Sequence, residues 1–269
     1  MFSILTHKTV LLRSCISKKF LTVSTSGNSG MNSSLINKLK NISEKEKQFL
    51  VQKIFSKVSS RYDLMNDVMS LGLHRTWKSY FVDLIEINSK SNVLDLASGS
   101  GDIIKLLKKK TSANFFSLDA NKEMQAQAKK KINHKNVRFI NAFAEKLPFE
   151  NKYFDVVTVS FGMRNFSNIK KSLSEVFRVL KDSGTFYCLE FSQINNKILN
   201  NFYQLYSKII PTYGGIIASD SESYKYLIKS IESFPNQVEL SKRMKDAGFK
   251  KIEVFDIIDG LASIHIAKK

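Results

Sequence analysis

Short apolar runs alternate with amphipathic stretches from residue 93 onward. The runs Val93 to Leu96, Asn114 to Leu118, Val137 to Asn141, Phe154 to Ser160 and Thr185 to Phe191 are rich in Val, Leu, Ile and Phe and are bounded by polar turns. Runs of this length read as buried strands. Between them, Ile103, Ile104, Leu106 and Leu107 keep helical spacing, as do a lysine-rich stretch from about Lys122 to Lys131 and a segment from about Ile169 to Leu180. The segment Lys181 to Gly184, KDSG, predicts the stop of the last helix. Such alternation predicts a parallel, doubly wound sheet with helices on both faces, which binds ligands at the carboxyl ends of its strands. Two further runs, Lys251 to Ile258 and Ala262 to Ala267, flank Asp259-Gly260. That dipeptide predicts a C-terminal antiparallel hairpin and brings the strands to seven.

Two regions depart from the alternation. Residues 43 to 85 read as helices, with Phe49, Val51, Ile54, Phe55 and Val58 near helical spacing, then YDLMND (Tyr62 to Asp67), a break at Gly72, and a helix from His74 to Ile85. Residues 197 to 245 read as an inserted set of helices and loops, Phe202 to Ile210, Pro211 to Asp220, Ser223 to Phe234 and Val238 to Ala247. An insertion after the fifth strand lies over the ligand mouth, where a substrate lid belongs.

Composition narrows the class. The 269 residues, 43% hydrophobic and 25% charged, suit one globular domain, 41–269, plus an extension, 1–40. No apolar run is long enough to span a bilayer. The first 40 residues hold six basic and no acidic residues, and 22–34 are mostly Ser, Thr, Gly and Asn. This composition suits a mitochondrial presequence, or an upstream extension of a bacterial protein that starts at Met31. The net charge of +18 admits nucleic acid or an anionic membrane as partner, but the lysines are spread rather than clustered with aromatics. That spread favours a solvated surface or a membrane. Cys15 and Cys188 make no disulfide framework, and the four histidines lack metal-ligand spacing.

The chemistry concentrates in VLDLASGSGD, Val93 to Asp102. A strand feeds a turn with Gly99 and Gly101, and the turn opens a helix whose free amides favour an anion. The second strand ends at Asp119, where a carboxylate can hold two ribose hydroxyls. Asp95 lies within the first strand, where it can face a ligand's amino group. A nucleoside ligand follows, either NAD or S-adenosylmethionine. The third glycine of the dinucleotide fingerprint is replaced by Ile104.

The segments KVSSRYDLMNDVMSLGLHRTWK, VLDLASGSGDI, AEKLPF, SFGMRNF, LEFS and SDSESYKYLIKSI occur in the order of one family. Over roughly residues 40 to 269 the chain resembles the UbiE-type methyltransferases, the ubiquinone/menaquinone-biosynthesis C-methyltransferases of bacteria and mitochondria. The resemblance implies a Rossmann-like seven-stranded methyltransferase sheet and S-adenosyl-L-methionine as cofactor. It implies methyl transfer to a ring carbon of a polyprenylated benzoquinol (2-methoxy-6-polyprenyl-1,4-benzoquinol type) or of demethylmenaquinol. The implied cofactor residues are Asp95, Gly99, Ser100, Gly101, Asp119, Phe143, Ala144 and Ser160, and the implied catalytic residues are Arg164, Asn165 and Tyr62. Asp63 would fold over the cofactor, with Asp67 or Asp220 completing a polar cluster. Ser98 stands where glycine is usual, and Phe143 where a small or polar residue is usual. The apolar residues from Ile198 to Ile217 read as part of a channel for the prenyl tail that touches the membrane surface, or as simple core or a dimer interface. A quinone-biosynthesis complex or a homodimer is implied, on the matrix side of the mitochondrial inner membrane or in the bacterial cytoplasm.

Two other readings compete. A nucleic-acid base methyltransferase would place an Asn/Asp-Pro-Pro-Tyr/Phe turn after the fourth strand, whereas this chain has Ser160-Phe161-Gly162-Met163; no nucleic-acid partner is expected. A cofactor-binding scaffold would not need Arg164. His74 and Cys188 read as packed residues rather than as base and nucleophile, and Met163 as wall.

Overall fold

A computed structural model describes residues 42–70, 72–132, 135–201, 203, 205–206 and 221–269; the side chains of Tyr62, Met69 and Ser221 fall outside the description. The extension 1–40, most of the apolar insertion after Tyr206 and Asp220 therefore lie outside the described residues.

Three helices lead in: α1 (Glu44–Val58), α2 (Tyr62–Ser70) and α3 (His74–Asp83). Ser43 and Glu46 close a reciprocal capping box at the start of α1. Then come β1 (Asn92–Leu96), α4 (Asp102–Leu107), β2 (Asn114–Leu118), α5 (Lys122–Lys131), β3 (Val137–Ile140) and β4 (Phe154–Ser160). The chain continues through α6 (Ile169–Val179), β5 (Leu180–Phe191), a helical stretch that starts at residue 197, α7 (Ser221–Glu232), α8 (Gln237–Asp246), β6 (Lys251–Ile257) and β7 (Ala262–Lys268).

The seven strands lie in the order β3-β2-β1-β4-β5-β7-β6. β7 runs antiparallel to both neighbours, and every other pair is parallel. The expected hairpin is present, with β7 rather than β6 against β5. The fifth strand begins earlier than expected, at Leu180 instead of Thr185. The KDSG segment does stop the helix, but Leu180 pairs with Phe154 and the register shifts before Val156, so those residues form an irregular lead-in to the strand.

Alternation along each strand splits the core in two. Leu94, Leu96, Val157 and Val159 pack with Leu173 and Val176 of α6 and Leu240 and Met244 of α8. Val93, Phe115 and Val156 face the other way, onto Trp77 and Phe81 of α3, Ile103, Ile104 and Leu107 of α4, and Ala128 of α5. A third, smaller cluster joins Val58, Met65 and Met124 to Tyr224 and Leu227 of α7. It ties the leading helices to the insertion.

β1 returns through α4 to β2 on one side, while β4 lies on its other side. The strand order therefore reverses between β1 and β4, and a ligand crevice opens at their carboxyl ends. Two glycines shape it. Gly101 has φ +83°, and a Cβ there would overlap Ile132 Cδ1 and sit 3.2 Å from Ala128 Cβ, so a side chain here would crowd α5. At Gly162 a Cβ would meet Ala97 Cβ at 2.7 Å, so this glycine lets the turn after β4 touch the turn after β1. We expect Gly101→Ala to lower stability by about 1–3 kcal/mol, through overpacking and left-handed strain. Denaturant unfolding should show part of that loss recovered by Ile132→Val; a loss untouched by the second change would assign it all to the backbone.

Candidate active site

The period of two that builds the core also puts Asp95, Ser117 and Thr158 side by side, in register across β2, β1 and β4. Thr158 Oγ1 donates to Asp95 Oδ1 at 2.7 Å. The other oxygen, Oδ2, is buried with no hydrogen-bond partner among the described residues, and so is Ser160 Oγ. Unpaired buried polar atoms are costly, so a pair beside one cavity points to a ligand. Asp95 and Ser160 do share a pocket, about 290 Å³ of empty space partly open to solvent, with Lys78 and Ser100. Burial pushes the Asp95 carboxyl up to about 7, against the Thr158 bond and the charge of Lys78, which pull it down. Lys78 Nζ itself donates to Asp102 Oδ2 at 2.8 Å.

The turn beyond β1 is held from β2. Ser98 N donates to Leu118 O at 3.1 Å, and the Ser98 and Ser117 hydroxyls lie 2.7 Å apart. Ser98, where glycine is usual, thus fastens the turn to the sheet. The Gly99 amide donates to Asp119 Oδ2 at 2.9 Å, and the Asn121 amide donates to Oδ1 at 2.8 Å. Each carboxylate oxygen keeps a free lone pair. Burial pushes Asp119 up to about 6, with the two amides opposing it. Asp119 lines a larger cavity, about 700 Å³ of empty space partly open to solvent, with Gly99, Phe143, Ala144 and Asn165. The two cavities share Ala97 and Gly99 and are lobes of one cleft.

The expected cofactor residues therefore converge: all but Gly101 line one lobe or the other, and the missing Cβ of Gly101 makes room for α5. Ser100 Oγ donates to Asp63 Oδ1 at 3.2 Å, and Lys131 Nζ holds the other Asp63 oxygen at 2.5 Å, so Asp63 does fold over the turn. Asp67 does not join them; it pairs with Arg75 at 2.7 Å. Tyr62 opens α2, but its side chain lies outside the description.

The lid is α1, which the residue pattern had marked only as an apolar stripe. Gln48, Val51, Gln52 and Phe55 line the larger lobe, whereas Phe49 is 71% exposed. Gln52 Nε2 donates to Ala120 O at 3.3 Å, Gln48 Nε2 to Ser167 Oγ at 3.1 Å, and Lys47 Nζ to Phe166 O at 2.6 Å. The signal was there: two glutamines four residues apart, beside apolar positions, on a helix that buries little else.

The segment beyond β4 starts with Phe161 at φ +55°, a strained value for a non-glycine residue, and then makes one tight turn, Met163–Asn165. Asn165 lines the larger lobe, and its Oδ1 accepts from Tyr226 Oη at 3.1 Å. Arg164 lines neither lobe. It is buried, pairs with Glu190, donates to Phe161 O at 2.7 Å and lies over the Phe191 ring at 5.4 Å. Its Nε has no partner among the described residues. Burial raises the Glu190 carboxyl, with Arg164 pulling it back. Glu190 was missed, although an acid inside an apolar strand is the same signal that marks Asp95.

His74 is neutral: burial lowers it to about 4, its Nε2 lies 3.5 Å from Asp67, and it lines neither lobe. Met163 and Cys188 are core residues.

The comparisons with known proteins agree with this geometry. The ubiE/COQ5 methyltransferase family matches residues 40–269. The chain belongs to the ubiE/COQ5 methyltransferase family. The ubiquinone/menaquinone biosynthesis C-methyltransferase UbiE of Rickettsia prowazekii is 48% identical over 240 residues, covering 86% of this chain and 96% of that protein. The Rickettsia typhi protein of the same name is 48% identical over 234 residues, covering 83% and 94%. Among solved structures, a methyltransferase in complex with the Haloferax volcanii Trm112 activator has a TM-score of 0.60 at 18% identity, covering 81% of this chain and 96% of that one. A SAM-dependent methyltransferase from Aquifex aeolicus has a TM-score of 0.53 at 17% identity, covering 76% and 97%. At such identities the likeness concerns the fold, the Rossmann-like methyltransferase sheet.

As a family member the chain is an S-adenosylmethionine-dependent methyltransferase, and its cleft fits that cofactor. The unpaired Asp95 Oδ2 and Ser160 Oγ suit an ammonium group in the small lobe, and Asp119 suits ribose hydroxyls in the large one. Two outcomes are expected. Asp119→Ala should weaken cofactor binding by about 10–150-fold, the loss of a charge-assisted hydrogen bond; calorimetry on the folded variant reads it. An ammonium beside Asp95 must lower that carboxyl from about 7. Binding near pH 6.5 should therefore release protons, detected in buffers of different ionisation enthalpy, and Asp95→Asn should abolish most of that release.

Proposed function

We propose that this chain moves a methyl group from S-adenosylmethionine to a ring carbon of a polyprenylated quinol, a benzoquinol in ubiquinone biosynthesis or demethylmenaquinol in menaquinone biosynthesis. One observation carries the reading: the curated C-methyltransferases of that pathway are matched at 48% identity over nearly their whole length.

The chemistry required is modest. When bound, S-adenosylmethionine supplies an electrophilic sulfonium methyl. A quinol carbon becomes nucleophilic once a ring hydroxyl loses its proton, because the phenoxide pushes charge to the carbons ortho and para to it. The protein must then align the reacting atoms and exclude water. In this reading Asp95, Ser100 and Ser160 hold the amino-acid end of the cofactor. Asp119 holds the ribose, and Phe143 with Ala144 flanks the adenine. α1 closes over them. Asn165 and Arg164 serve the quinol oxygen from the turn beyond β4, with Asn165 oriented by Tyr226. Arginine is too basic to take the proton. It acts as a donor that favours the phenoxide, and its unpartnered Nε supports this role.

The location is part of the proposal. The basic, acid-free first 40 residues support a presequence and a site on the matrix side of the inner mitochondrial membrane. The relatives named above are bacterial. Among the described residues no helix is long and apolar enough to cross a membrane. Ile198 and Leu205, exposed at 78% and 53% in the helical stretch after β5, support a peripheral contact with the bilayer that holds the substrate.

The test is single-turnover transfer of labelled methyl to a short-tailed quinol under anaerobic conditions, with RNA as the competing acceptor. Transfer to the quinol is expected, and transfer to RNA alone would overturn the reading. Arg164→Ala should lower the rate on the order of 10²–10³-fold with little change in cofactor affinity. The defect should narrow as pH rises and the quinol ionises unaided. A near-wild-type rate would make Arg164 structural.

A further inference from the structure

Arg164 occupies the middle of a three-residue turn whose own backbone bonds are Asn165 N to Gly162 O at 3.0 Å and Phe166 N to Met163 O at 3.1 Å. So short a turn does not by itself fix a long, flexible side chain. The fixing comes from β5. One Glu190 oxygen, Oε1, accepts from Arg164 Nη1 and from its own neighbour's amide, Phe191 N, at 3.0 Å. The other, Oε2, accepts from the Arg164 backbone amide at 3.3 Å. One carboxylate thus grips both the side chain and the backbone of Arg164. Both side chains are almost wholly buried, at 2% and 1% exposure. Glu190 is itself held rigidly, since β5 is paired with β4 on one side and β7 on the other. A buried ion pair contributes little net stability compared with well-packed apolar residues, so stability alone does not account for it. What it does supply is a guanidinium in one orientation, with Nη1 occupied and Nε left over.

We infer that Glu190 is a positioning residue for methyl transfer, locking Arg164 and the turn 163–165 into the geometry that meets the quinol oxygen. The inference rests on the proposed role of Arg164 at the quinol, and Glu190 acts only through Arg164. The consequence is non-additivity. Glu190→Gln keeps the shape but removes the charge and presents an amide donor to a backbone N–H that already donates.

The experiment is a double-mutant cycle on the full chain: wild type, Glu190→Gln, Arg164→Ala and the double variant. Each is read by single-turnover rate with a short-tailed quinol, by cofactor Kd and by thermal midpoint. Glu190→Gln should slow transfer at least tenfold while cofactor Kd and quinol KM stay within about twofold, since neither cofactor lobe includes Glu190. On the Arg164→Ala background the same change should leave the rate unaltered and raise the thermal midpoint, because it removes a buried, unpaired carboxylate. If Glu190→Gln does not fold, Glu190→Asp, which keeps the charge but draws it back by one methylene, should show the same split between rate and Kd. A wild-type rate in either single Glu190 variant overturns the inference while leaving the quinol reading intact. So does a full further loss on the Arg164→Ala background. A wild type that methylates no quinol takes down both.

Discussion

The hydrogen bond from the Gly99 amide to Asp119 is the contact on which the site depends. It joins the turn after β1 to the end of β2, on the β2 side of the crevice. The geometry on either side follows from it. Ala97, Ser98 and Gly99 hold their non-extended path because Asp119 and Ser117 anchor them from the neighbouring strand. The same carboxylate fixes the start of α5 through the Asn121 amide, while the Asn121 side chain caps that helix. Asn121 also reaches the lid, donating to Gln52 O and Ser56 Oγ. One acidic residue thus organises turn, helix and lid while keeping acceptor capacity for a ligand.

Buried carboxylates recur at this edge for one reason. A parallel sheet covered on both faces offers polar chemistry only where the strands end. Asp95, Asp119 and Glu190 all lie there, each nearly inaccessible, and burial raises each of them. Their partners differ. Asp95 has one oxygen unpaired, Asp119 has two backbone amides, and Glu190 has a guanidinium. The first two are prepared for groups the protein does not itself supply. The third is spent on Arg164, and it makes the arginine a held donor.

The parts legible from residue order were those governed by period and punctuation. The seven strands, the lysine-rich helix 122–131 and the C-terminal hairpin all follow from local patterns, as does the nucleoside-binding turn. Pairing partners were less legible. Both hairpin strands are apolar enough to sit against β5, and nothing local in either says that Ala262–Lys268 takes the inner place. The lead-in at Leu180 was hidden by KDSG, whose turn character is real but is absorbed as an irregularity in the ladder. The lid role of α1 and the grip of Glu190 left local signals, but their partners were illegible for a common reason. Each is a contact between residues far apart in the chain, Lys47 with Phe166 and Glu190 with Arg164, and periodicity carries no information about such pairs.

The most direct measurement is the quinone pool of cells that lack this protein, resolved by mass spectrometry and repeated after return of the wild-type chain or of Asp119→Ala. The account predicts that a quinone intermediate short of one ring methyl accumulates. The wild-type chain should clear it, and Asp119→Ala should not. An unchanged quinone pool in the deleted cells, or full restoration by the Asp119→Ala chain, would contradict it.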